Sequence, residues 1–212
     1  ASLLADGRVL IAGGTGSDGR ALAAVEIYDP ASGRWQQGPA LLTARSDHTA
    51  TVLGDGSVLI VGGRDIEGHA LRSTELLNRD ATRWHAAGNL DQARYQHVAS
   101  QLPNGQVLIT GGVGDREIPA LELEVRTTAG AWQPAGRSFR PLRSHQAIVL
   151  PIGRVLLFTY DSTAQNTILA WIPDRPERQR QDLPANGTIV SLDDGRFLLI
   201  GGARRGVSSA EA

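Results

Sequence analysis

The chain has 212 residues, 41% hydrophobic and 20% charged, which is enough apolar material for a sizeable core. Its 21 basic and 22 acidic groups leave a net charge of −1, so there is no electrostatic ground for a nucleic acid or an anionic membrane as partner. Cysteine is absent, which excludes disulfides, thiolate metal sites and thiol nucleophiles, and no apolar run approaches bilayer length.

In chain order, the first signals are the turn pair Asp6-Gly7 and the apolar run VLIAGG (Val9 to Gly14), followed by VEIYDPASGRW (Val25 to Trp35). The same signals return around VLIVGG (Val58 to Gly63) and VLITGG (Val107 to Gly112), so Gly13, Gly62 and Gly111 step by 49 residues. VLLFTY (Val155 to Tyr160) is a degenerate fourth copy and FLLIGG (Phe197 to Gly202) a fifth. A period near fifty residues marks a repeat architecture.

The second copy shows the unit. Thr49 to Leu53 alternates as a strand does, and Gly54-Asp55-Gly56 supplies the positive φ of a tight hairpin. Val58 to Val61 is an unbroken apolar strand, expected to be covered on both faces. After Gly62-Gly63, a polar loop leads to a third strand at Ser73 to Leu77 and a fourth at Arg83 to Ala86, which carries Trp84. Four short antiparallel strands make one sheet with two apolar faces, and stacking such sheets around an axis buries both.

Other residues keep step with the glycines. Trp35, Trp84 and Trp132 recur, as do His48, His97 and His145, Arg45, Arg94 and Arg143, and Glu26, Glu75 and Glu124. Where glutamate is replaced by Leu169, the following arginine is replaced by Pro184, and Gly187 stands in the histidine's place. The constant spacing from glutamate to the next arginine predicts the ion pairs Glu26–Arg45, Glu75–Arg94 and Glu124–Arg143, with Glu122 as a competitor in the third. The tryptophans are expected in the core, with Trp171 the aromatic that stands off their register. The histidines fall at equivalent places in successive copies, around a ring and not in a cluster, so no metal site is expected from them.

HTATVLGDGSVLIVGG (His48 to Gly63) and VEIYDPASGRW (Val25 to Trp35) resemble the kelch repeat. The resemblance implies an all-β, kelch-type β-propeller of four-stranded antiparallel blades, related in fold to the central domain of galactose oxidase. It divides the chain into blades at roughly residues 1–44, 45–93, 94–141, 142–183 and a partial 184–212, about four and a half blades of a larger ring. Closure of the ring is then expected from other segments of a longer chain, in keeping with the absent initiator methionine. The fourth copy is eroded, with Thr159-Tyr160 for the glycine pair and Arg178 at the tryptophan position. The resemblance, together with the lack of lysine and methionine, points to a bacterial, secreted or periplasmic setting.

The loops after each glycine pair vary most, and loops on a rigid scaffold carry recognition. Arg20, Arg64, Asp65, Glu67, His69, Asp115, Arg116, Asp161, Arg204 and Arg205 are therefore the candidate contacts. Asp18, Asp65 and Asp115 lack the alternating oxygen ligands of a calcium loop. These features imply a non-enzymatic module for a protein or carbohydrate ligand, without cofactor or metal. The alternatives are a sugar-modifying kelch enzyme domain and a structural segment of a large surface protein. Copper-radical oxidation is not supported, because its crosslink needs a cysteine.

Overall fold

A computed structural model describes residues 1–138, 141–143, 145–151, 153–159, 167–171, 180–182, 188–191, 197–200, 203–204 and 207–208, with side chains described up to Phe158. The chain is all-β. Among the described residues, consecutive strands form four four-stranded antiparallel sheets, followed by two strand pairs. It divides into two compact units, residues 1–101 with 105–143, and residues 102–104 with 144–212.

The first unit holds three sheets. The first is β1 (Ser2–Leu3), β2 (Val9–Ala12), β3 (Val25–Asp29) and β4 (Arg34–Gln37). The second is β5 (Thr49–Val52), β6 (Val58–Val61), β7 (Ser73–Leu77) and β8 (Trp84–Asn89). The third is β9 (Val98–Gln101), β10 (Val107–Thr110), β11 (Glu122–Arg126) and β12 (Trp132–Arg137). In the second unit, β13 (His145–Val149), β14 (Val155–Thr159), β15 (Thr167–Trp171) and β16 (Arg180–Asp182) form one sheet, with Ile148 and Phe158 buried together. The strand pairs are β17 (Thr188–Ser191) with β18 (Phe197–Ile200), and β19 (Ala203–Arg204) with β20 (Val207–Ser208).

β8 runs past Ala86, where the pattern had placed its end. A bulge shifts the register between Ser73 and Glu75, and Gly88 takes the positive φ of 89° that lets the strand continue.

Strand pairing fixes which residues share a face. In the first unit, Leu10, Val25 and Ile27 of the first sheet meet Val58, Ile60, Leu77 and Trp84 of the second. On its other side the second sheet buries Leu59 and Val61 with Leu90, Val107 and Ile109. Trp84 is 3% exposed and Trp132 is half-buried, but Trp35 is 52% exposed, so the expectation that all three are core fails at the first. Each tryptophan lies on the face that looks back toward the preceding sheet. Among the described residues nothing precedes the first.

The glycine doublets have a steric cause. Gly63 sits at φ +100°, and a Cβ there would lie 2.5 Å from the Ser46 carbonyl; one at Gly13, φ +62°, would lie 2.5 Å from the Arg45 carbonyl. Each doublet passes directly against the link that connects one sheet to the next. Gly14 and Gly63 donate their N–H groups to the Arg45 and Arg94 carbonyls at 2.8 and 2.9 Å.

The ion pairs differ from those predicted. Arg45 pairs with Glu75 at 2.6 Å and Arg94 with Glu124 at 2.7 Å, each arginine reaching thirty residues forward, not nineteen back. Arg45 also donates to the carbonyls of Gly62 (2.8 Å) and Ser73 (3.1 Å), and Arg94 to those of Gly111 (3.2 Å) and Glu122 (2.8 Å). Glu75 accepts the backbone N–H groups of Leu42 (2.7 Å) and Thr43 (3.0 Å) in the link. Each pair thus closes a sheet onto its own incoming link. Both arginines are 0% exposed, so burial favours their neutral form and the carboxylate opposes it. Glu26 is exposed. Arg143 instead meets Glu117 at 3.2 Å, and Glu122 meets Arg137 at 3.3 Å.

Two predictions follow from this packing. Glu75→Gln leaves the Arg45 charge buried without its partner and should lower unfolding free energy by about 3–5 kcal/mol, whereas Glu26→Gln should stay within about 0.5 kcal/mol. Trp84→Ala should cost about 3–5 kcal/mol and Trp35→Ala less than about 1 kcal/mol. Urea midpoints of the four variants check both.

Candidate functional site

The loops after the glycine doublets are small hairpins. Thr15 bridges Ala21, Arg64 bridges Ala70 and Val113 bridges Pro119. The links are tied to them, Ser46 to Arg64 and Tyr95 to Val113. The rigid sheets therefore present two kinds of segment side by side, the loop hairpin and the link.

Side chains hold the hairpins in shape. The Asp18 carboxylate accepts the Arg20 N–H at 3.0 Å. Asp65 accepts the N–H groups of Glu67 (3.0 Å) and His69 (2.8 Å). Asp115 accepts the Ala70 N–H at 2.7 Å and so stitches one loop to the loop before it. Arg116 occupies φ 56° in the 3-10 turn Asp115–Glu117.

Across these loops runs a sequence of charged and aromatic contacts. Arg64 donates to Asp47 through Nε (2.9 Å) and Nη2 (2.6 Å). Its guanidinium lies 4.3 Å from the centroid of the Tyr95 ring, a cation–π contact. The Tyr95 hydroxyl donates to Glu117, which also pairs with Arg143. Burial and the Glu117 hydrogen bond both push the Tyr95 hydroxyl above its ordinary pKa.

Two open grooves accompany this network. One, about 350 Å³, is lined by Ser46, Asp47, Arg64, Asp65, Ile66 and Glu67, with the first loop hairpin as its opposite wall. A second, about 250 Å³, is lined by Gln92, Asp115, Ile118 and their neighbours. Of the residues singled out in the sequence, Arg64, Asp65 and Glu67 come together in the first groove, and Asp115 lies in the second. Arg20 and Arg116 are exposed on their hairpins but line neither. Asp65, Glu67 and His69 bring ligand atoms within 4.8 Å of one another, on an exposed turn where one Asp65 oxygen already serves the backbone. Asp161, Arg205 and the side chain of Arg204 lie outside the described residues, as do Tyr160, Arg178, Pro184, Gly187, Gly201 and Gly202, and the side chain of Trp171.

Sequence reasoning missed Asp47, Tyr95 and Glu117. A signal was there for Tyr95, which replaces Ser46 when the repeat is shifted by 49 residues.

The histidines sit behind the doublets. A Cβ at Gly13 would approach His48 Cε1 to 3.0 Å and one at Gly63 would approach its Cβ to 2.9 Å, so the His48 ring is wedged between two sheets' glycines. His97 repeats the arrangement against Gly62 and Gly112, and its Nε2 lies 2.8 Å from Thr49 Oγ1. Burial, with Arg45 nearby, lowers the His48 pKa to about 4.

That depression has a testable sign. The unfolded imidazole takes its proton near the ordinary 6.5 and the folded one only near 4, so the unfolded state binds more protons between these values. Stability contributed by neutral His48 is intact above about pH 6.5 and is lost as pH falls toward 4. His48→Gln should flatten this part of the profile by about 1–3 kcal/mol in urea melts between pH 7 and 4.

Comparison with known proteins agrees with the strand pattern. Residues 1–42 match the Kelch motif. No curated protein matches. Among solved structures, that of YjhT, a kelch-type β-propeller, aligns with a TM-score of 0.70 at 11% identity, covering 100% of this chain and 78% of that one. The 49-residue repeat, the four-stranded sheets and these two likenesses identify the fold as a kelch-repeat β-propeller.

Proposed function

We propose that the chain is a recognition module whose loop hairpins and links take a protein or carbohydrate ligand, without chemistry of its own. The observation that carries this reading is the groove of about 350 Å³ between the first two loop hairpins. Its walls combine a fixed cation (Arg64) with the Asp47 carboxylate that holds it, two further carboxylates (Asp65 and Glu67), a hydroxyl (Ser46) and one exposed aliphatic, Ile66. Such a mixture suits hydroxyl-rich or peptide-like ligands, which need both donors and acceptors at short range.

A second feature supports the reading. The sheets repeat, but the side chains on the loops do not. Arg64 is held in place by Asp47 and Tyr95, and its pre-set position lowers the entropy lost on binding. Its counterpart one repeat later is Val113. A cation placed in one repeat and omitted from the next belongs to a particular ligand contact and not to the scaffold.

Glycan and peptide arrays probed with the purified protein test the proposal. Binding to members of one class is expected, weakened by about tenfold or more in the double variant Arg64→Ala, Glu67→Ala. Silence on both arrays, or binding that ignores the double variant, overturns it.

A further inference from the structure

The three loop hairpins are equal in length, so Ala21, Ala70 and Pro119 correspond, as do Ser17, Ile66 and Asp115. In each, the backbone bonds run between the residues that flank the closing pair. Gly16 N–H donates to the Arg20 carbonyl (2.8 Å) and Leu22 N–H to that of Gly14 (2.9 Å) in the first; Asp65 N–H donates to His69 (3.0 Å) and Leu71 N–H to Gly63 (2.8 Å) in the second. The closing residue's own N–H is therefore left over and needs an acceptor elsewhere.

The three repeats treat that donor in three ways. Ala70 N–H is met by the Asp115 carboxylate of the next hairpin at 2.7 Å. Pro119 has no N–H to satisfy. Ala21 keeps the donor, but Ile66 stands where Asp115 stands one repeat later, and among the described residues no group accepts from it. Ala21 is 7% exposed and lines the groove of about 350 Å³ between the first two hairpins. A donor so enclosed is rarely left without an acceptor.

The other walls say what brings that acceptor. Arg64 is neutralised by Asp47 at 2.6 Å. Asp65 has only the exposed His69 ring at 3.7 Å, and among the described residues Glu67 has no cationic partner. A carboxylate entering here would meet these like charges, so the acceptor is a neutral oxygen. Ile66, 47% exposed, adds an apolar lip. A neutral sugar supplies an acceptor but no cation for Asp65 and Glu67. An extended peptide supplies a main-chain carbonyl, an aliphatic side chain and a lysine or arginine together.

We propose that the groove between the first two loop hairpins receives an extended, basic peptide segment of another protein, whose main-chain carbonyl accepts the Ala21 N–H. The inference rests on the recognition reading above and narrows it to one class of ligand.

An array of random decapeptides graded by net charge, probed with the 212-residue protein, should give a signal that rises with lysine and arginine content. For the best binder, fluorescence polarisation then compares variants. Ile66→Asp copies the Asp115 contact and satisfies Ala21 from within, so it should weaken binding by about tenfold although it adds a negative charge. Ile66→Ala, which supplies no acceptor, should cost less. Ala21→Pro copies Pro119 and should weaken binding as Ile66→Asp does; if it fails to fold, Ile66→Asp decides. In the complex the Ala21 amide proton should move downfield and exchange more slowly. An Ile66→Asp variant that binds the basic peptide more tightly, or an Ala21 amide that does not respond, overturns the proposal. Selection of glycans or of acidic peptides also overturns it while the recognition module stands; silence on peptide and glycan arrays alike sinks both.

Discussion

A guanidinium with no contact to water is the constraint around which the first unit is organised. Arg45 and Arg94 are long, permanently charged side chains at 0% exposure, and a buried charge survives only where every donor is met. Each is met by a glutamate from the third strand of its own sheet and by the carbonyl of the first glycine of the doublet. The glutamate in turn takes two N–H groups from the link. Strand, doublet and link cannot be placed independently, because one charge needs all three. Such a pair adds little net stability over an apolar replacement. Here it sets where each link lies against its sheet, and hence where the next sheet starts.

The repeat made much of this legible in advance. The period, the sheet order and the second and third strands of the second copy could be taken from glycine doublets and apolar runs. The ion-pair partners could not, for a reason built into periodicity. In a 49-residue repeat, a glutamate nineteen residues before one arginine is also thirty residues after the previous one. Both separations are constant, and linear spacing cannot choose between them. Only the backbone geometry of the link decides, since its N–H groups at Leu42 and Thr43 already point at Glu75. Trp35 was misplaced for a related reason. Its sequence context matches Trp84, but burial depends on which sheet lies behind it, and that is not a local property.

The loop side was less legible. Arg64, Asp65 and Glu67 were singled out for position and charge, and they do share a groove. Asp47, Tyr95 and Glu117 were passed over because they sit outside the repeat's marker positions. Their contacts to Arg64 and Arg143 are tertiary and leave no spacing rule. Scaffold residues repeat and are found by counting. Residues whose contacts are made once break the repeat and are found by noticing where counting fails, as at Tyr95.

The links and the loop hairpins differ in how they may change over generations. A link is measured out by contacts at both ends, from the Pro39 carbonyl under Trp84 to the Arg45 guanidinium against Glu75. Adding or deleting one residue there would pull an indole or a charge off its mark. The hairpin from Arg64 to Ala70 is bridged to its link through Arg64. Its tip can lengthen, shorten or be exchanged for a foreign sequence with little strain on the sheets, which makes it the natural place for grafting a new specificity.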